Sequence, residues 1–144
     1  MRTFRLDIPW AHLCPDNQKQ IPVPVIAKYA GQRCVSRLMT LSRYKNGKAA
    51  IALVAADVID NFHKSVFPLF DEATPLSLIA TAYPPNRRKT DPINYAKGIC
   101  DALQGIVYVD DNQIVSNGPW IRGRVDKDNP RIEVVITPLD EEES

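Results

Sequence analysis

The chain has 144 residues, 44% of them apolar and 24% charged, which is the size and balance of one globular domain with one core. Its formal charge is +1, but Asp140, Glu141, Glu142 and Glu143 crowd the end, and the body before them sets 18 cations against 13 anions, a balance of +5. No apolar run approaches the roughly 20 residues that span a bilayer, which excludes a membrane role, and a mildly basic body favours polyanions only where its cations cluster.

Thr3 to Ile8 alternates apolar and polar residues, the pattern of a half-buried strand and not of a signal peptide. Pro9 to Pro24 holds four prolines with Asp16 and Asn17 among them and reads as a surface loop. A short strand around Cys34 to Leu41 is expected to lead into a turn at Lys45-Asn46-Gly47-Lys48. Lys48 to Lys64 then places Ile51, Val54, Ala55, Val58, Ile59 and Phe62 at helical spacing.

Pro68 and Pro75 bracket a loop, and the apolar Leu76 to Tyr83 reads as a buried strand stopped by Pro84-Pro85. Asp91-Pro92 is an N-cap followed by proline, opening a helix that runs through Tyr95 to Gln104 and ends at Gly105. Ile106 to Val109 reads as a short strand, and Trp120 to Val125 with Arg131 to Ile136 as a hairpin around Asp126 to Asn129. The expected order is β, loop, α, β, α, β, β, an α/β (α+β) fold with a small mixed sheet and two main helices. One domain over residues 1–139 and an acidic, disordered tail over 140–144 complete the expectation.

Cys14, Cys34 and Cys100 are odd in number and lie in no CxxC pair, which argues against a disulfide framework or structural zinc and for a reducing, cytoplasmic setting. With His12 and His63 as the only histidines, carboxylates are the metal ligands left, and they select Mg²⁺ or Mn²⁺.

The chemistry concentrates between Arg87 and Val115. Arg87-Arg88-Lys89 ends a strand just before a helix exposes its N-terminal amides, a meeting point for phosphate, although a solvated basic loop has the same composition. Asp91 and Asp111, with Asp110 beside it, are carboxylates from different elements that could hold one hard cation. Asp91 equally serves as a helix cap and Asp110-Asp111-Asn112 as a turn. Lys97 could reach a scissile phosphate or pair with Asp101 four residues on. Trp10, Trp120 and Tyr108 fit core positions better than base-stacking ones.

Together, the stretch RRKTDPINYAKGICDALQGIVYVDDNQIV resembles the RusA family of Holliday junction resolvases. That family's pattern is a basic run, DxDN, a lysine, a DAL-like helix end and an aspartate pair. Asp91 matches the first aspartate of DxDN, Asn94 its asparagine, Lys97 the lysine, Asp101-Ala102-Leu103 the DAL segment, and Asp110-Asp111 the later pair. LDIPWAHLCPDN extends a weaker similarity through Pro9, Trp10 and Asn17, where His12 and Leu13 would sit in a loop that probes the junction centre.

The resemblance implies a homodimeric endodeoxyribonuclease that resolves four-way DNA junctions in recombination and repair, with Mg²⁺ or Mn²⁺ as cofactor. Asp91, Lys97 and Asp111 would be catalytic, Asp91, Asp110 and Asp111 metal-binding, and Arg87, Arg88 and Lys89 DNA-binding. Ile93 stands where the family carries its second DxDN aspartate, which removes a carboxylate from the metal site and implies weakened cleavage. The other expectation is therefore a protein that keeps the fold and binds branched DNA without cutting it, and a structural domain with no nucleic-acid role is the third.

Overall fold

The computed structural model describes residues 3–16, 20–26, 34–40 and 42–139, with side chains for 3–16 and 42–139. Asn17 and the tail from Asp140 onward lie outside the described residues. The elements in chain order are β1 (Phe4–Pro9), β2 (Gln20–Ile26), β3 (Cys34–Thr40), α1 (Ser42–Val58), β4 (Leu76–Tyr83), α2 (Ala96–Leu103), β5 (Ile114–Arg122) and β6 (Arg131–Pro138). One mixed sheet runs in the order β1-β6-β4-β5, with β4 and β5 parallel and the other pairs antiparallel, and β2 pairs with β3 in a separate two-stranded sheet.

The four-stranded sheet follows from alternation. β1 alternates buried and exposed residues without exception, and β4 and β6 bury every second side chain. Phe4, Leu6 and Ile8 thus join Leu76, Leu78, Ala80 and Ala82, and Ile132, Val134 and Ile136, in one core. Helix α1 adds Ile51 and Ala55, the π-helical turn that follows it adds Ile59, and α2 adds Ile99 and Leu103. At about 25 cal/mol per Å² of apolar surface removed from water, these side chains supply the main driving force for folding. The mixed α/β single domain expected from the pattern is the one observed.

Five local expectations are corrected. The proline-rich segment is not all loop: Trp10–His12 forms a 3₁₀ turn, and Gln20–Ile26 is strand β2, containing Pro22 and Pro24. Being two residues apart, both prolines turn their nitrogens to the same side of the strand, so the amides on the other side can still pair with β3. Lys45 to Lys48 is not a turn but lies within α1, which begins at Ser42. Gly47 is needed there because a Cβ would stand 2.3 Å from the His12 carbonyl oxygen, where α1 presses on the 3₁₀ turn.

Phe62 is 82% exposed, not in the core, because α1 widens into a π-helical turn over Ile59–His63 that shifts the apolar stripe. Ile106 to Val109 is a turn closed by a bridge between Gln104 and Tyr108 instead of a strand. The expected hairpin between Trp120–Val125 and Arg131–Ile136 does not form either, since β5 and β6 are both neighbours of β4 and not of each other. Among the described residues, no helix is long and apolar enough to cross a membrane.

The chain between β5 and β6 is held by charge. Asp126 accepts from Arg131 at 2.9 Å and from the Asn129 amide at 3.1 Å, Arg131 also bonds Glu133 at 3.0 Å, and its guanidinium lies 4.3 Å from the Tyr83 ring centre.

Two outcomes are expected. Gly47→Ala should destabilise the protein by about 1–3 kcal/mol in chemical denaturation, since the new methyl group must push the His12 carbonyl aside. The Asn129 amide and the Arg131 guanidinium hold the Asp126 carboxyl below its ordinary value, so its contribution is present at neutral pH and lost as pH falls through that lowered value. The stability gap between wild type and Asp126→Asn should therefore close in acid, as followed by thermal unfolding across pH.

Candidate active site

β4 and β5 are parallel, so the chain between Tyr83 and Ile114 must cross over, and α2 is the helix of that crossover. Arg87, Arg88 and Lys89 are exposed immediately after β4. Their backbone is pinned from β5, where one guanidinium nitrogen of Arg122 donates to the carbonyls of Arg87 at 3.3 Å and Arg88 at 3.1 Å. Exposed Arg122, at the end of β5, thereby joins the basic run, which a linear reading of residues 87–89 missed.

Asp91 is an N-cap, as its sequence context suggested. One of its carboxylate oxygens accepts the Ile93 amide at 3.3 Å and its carbonyl accepts the Asn94 amide, with Pro92 at the first position, but the element it opens is a 3₁₀ turn, Pro92–Tyr95, ahead of α2. Ile93 is 49% exposed. The α2 amides expected to meet phosphate are already occupied, because the Lys97 and Gly98 amides donate to the two oxygens of Asp16 at 3.0 and 2.9 Å.

Lys97 Nζ lies 3.8 Å from Asp101, so the i,i+4 pair is formed. The same ammonium bears on Asp111. The Asp111 carboxyl is raised from its ordinary value, first by partial desolvation, then by its hydrogen bond with Asp110 and the repulsion of Asp110 and Asp101, and Lys97 opposes this. Asp101, Asp110 and Asp111 thus share one negative field with a lysine in it, whereas Asp91 is not among the charges that bear most on Asp111.

The Asp110–Asp111 turn is fixed by Gln113, a polar residue that is itself buried. Its amide oxygen accepts the amides of Val109 at 2.8 Å and Asp110 at 3.0 Å, and its amide nitrogen donates to the carbonyls of Asp71 at 2.6 Å and Thr74 at 3.0 Å. Asp110 in turn accepts the Asn112 amide, giving the reciprocal capping arrangement of a D-x-x-Q sequence. That spacing was the signal in the sequence for Gln113, and it went unread.

Tyr108 is fully buried with its hydroxyl donating to the Cys100 carbonyl, and burial pushes its pKa strongly upward. Trp10 and Trp120 are partly buried against the core, Trp10 edge-on to Tyr95 and Trp120 bonded to Asn117, so all three aromatic residues pack as core or its margin. His12 lies half-buried in the 3₁₀ turn and Leu13 is buried.

Among the described residues, no three acidic, histidine or cysteine side chains form a ready cage for a metal ion. Mg²⁺ needs less than that, because it keeps several waters and is commonly held by one or two carboxylates and substrate phosphates. A carboxyl whose charge is disfavoured by two neighbouring aspartates suits a hard cation, so the Asp110–Asp111 donor set fits the group.

A mixed α/β domain that places cations and clustered aspartates on one crossover has the features of a protein that works on phosphodiester polyanions. The family model described as Endodeoxyribonuclease RusA matches residues 22–137, and the chain belongs to that family. None of the curated proteins compared with the chain matches it.

Three outcomes follow from this geometry. Because the folded protein disfavours the charge on Asp111, ionising it lowers stability as pH rises through its raised value. Asp111→Asn should therefore stabilise the protein near neutral pH and leave it unchanged in acid, as read by thermal unfolding. Lys97→Met should move the Asp111 titration midpoint further up in carboxyl-detected NMR. Gln113→Ala should cost about 2–3 kcal/mol, since it leaves buried backbone groups without partners.

Proposed function

We propose that this member of the endodeoxyribonuclease family resolves four-way DNA junctions by paired nicks, using Mg²⁺ or Mn²⁺ and acting as a homodimer. The observation that carries this reading is the Lys97–Asp101 pair, whose charges both bear on the Asp111 carboxyl beside Asp110, in the crossover that also carries the exposed Arg87, Arg88 and Lys89. A four-way junction is two-fold symmetric, and two copies of one site can cut matching strands.

Asp110 and Asp111, with Asp91 as the family's further ligand position, would hold the cation. When bound, it lowers the pKa of an attacking water and neutralises phosphate charge. Lys97 is long enough to leave Asp101 for a non-bridging phosphate oxygen and to stabilise the charge that builds there. Arg87, Arg88 and Lys89 hold the DNA backbone, with Arg122 keeping their loop in place.

A second reading, binding of branched DNA without cutting, is favoured by Ile93, which puts no carboxylate where the family has one. The two separate in one assay with labelled four-way junction, matched duplex, and Mg²⁺ or Mn²⁺. The nuclease gives ligatable nicks on the junction alone, and either Asp111→Asn or Lys97→Met lowers the rate roughly 100-fold or more while junction binding persists. Ile93→Asp, at an exposed position, should raise cleavage. Junction binding with no product under either ion supports the second reading, and equal cleavage by wild type and Asp111→Asn rejects the site. Each of Arg87→Ala and Arg88→Ala should lower the salt slope of binding by about 1.

A further inference from the structure

We propose that Asp16 is a positioning residue for this site: through the first turn of α2 it holds Lys97 where its ammonium can serve the aspartate cluster. The proposal rests on the nuclease reading above for its catalytic consequence and on geometry for its anchoring.

A short helix leaves its first amides without intrahelical partners, and the residue that flanks it usually supplies an acceptor. Here the flanking residue, Tyr95, gives no side-chain cap. The acceptor arrives instead from a segment more than 80 residues earlier in the chain. The two Asp16 oxygens take the Lys97 amide at 3.0 Å and the Gly98 amide at 2.9 Å. A carboxylate at this end also complements the helix dipole.

Asp16 is itself held. The Tyr44 hydroxyl, from the buried face of α1, donates to the same oxygen that Gly98 uses, at 3.4 Å, and Arg43 donates to the Leu13 carbonyl at 3.3 Å. The approach is close enough that a Cβ at Gly98 would stand 3.1 Å from the Tyr44 hydroxyl and 3.3 Å from Asp16. The residue whose amide is gripped is Lys97, so Asp16 fixes the root of the side chain that reaches Asp101 and bears on Asp111. By filling the α2 amides it also keeps a DNA phosphate from settling there, which leaves the Lys97 ammonium and the basic run as its partners.

Displacing a catalytic group by about 1 Å can cost 10²-fold in rate. In the full-length protein with Mg²⁺, well below its unfolding temperature, Asp16→Ala should lower the single-turnover rate of junction cleavage roughly 10- to 100-fold with junction affinity nearly unchanged. Asp16→Asn keeps one acceptor oxygen and should recover most of that rate. Hydrogen exchange, read without DNA or metal, should show the Lys97 and Gly98 amides protected in wild type, exposed in Asp16→Ala and intermediate in Asp16→Asn.

Full-rate cleavage by Asp16→Ala, or equal protection of both amides in all three proteins, overturns the proposal. If Asp16→Ala does not fold, Asp16→Asn carries the test: slowed cleavage with partial loss of amide protection supports anchoring, and wild-type values for both overturn it. A wild-type protein that cuts no junction overturns the nuclease reading and the catalytic half of this proposal, while the exchange data separately decide the anchoring.

Discussion

Everything proposed for this chain depends on one constraint of sheet topology: β4 and β5 lie side by side and parallel. Parallel neighbours cannot be joined by a tight turn, so the chain must leave the sheet, pass over a face and return, and a helix is the usual way to do it. Arg87, Arg88, Lys89, Asp91, Lys97, Asp101, Asp110 and Asp111 all fall in that one excursion. Its two ends are fixed at opposite ends of the strand pair, Arg87 and Arg88 beside Arg122 at the close of β5 and the Asp110–Asp111 turn just before Ile114, which pairs with Leu76 at the start of β4.

The excursion would be a loose loop without its fastenings, and these come from outside it. Asp16 closes the start of α2, Tyr108 packs beneath it, and Gln113 ties the aspartate turn to the chain around Asp71 and Thr74. Arg122 reaches back from β5 to the carbonyls of the basic run. The charges face water or one another, while the groups that position them are buried or saturated with hydrogen bonds. Such a site is held at some cost to stability, as the raised Asp111 carboxyl shows.

What could be read from the sequence was what depends on near neighbours. The alternation of β1, the strand character of β4 and β6, the cap at Asp91 and the Lys97–Asp101 pair are all set within a few residues and were legible. The β5–β6 hairpin was misread because two strands close in sequence can both prefer a third, and local pattern carries no register with β4. Gly47 looked like a turn because the His12 carbonyl that demands it lies in another element. Phe62 was misplaced by a single widened turn. Asp16 and Arg122 escaped for the same reason as Gly47: their partners are backbone groups brought close only by the finished fold.

In the proposed function, the aspartates of this one crossover form a cation site beside Lys97. Titration of the isotope-labelled protein with Mn²⁺ reads it most directly, through paramagnetic broadening of backbone amides. Broadening is expected to start at residues 110–113 and along α2 from Lys97 to Asp101, and Asp111→Asn to weaken it. Broadening centred instead on Asp71 and Glu72 or on Asp126 to Asp128, or none at all, would contradict that site.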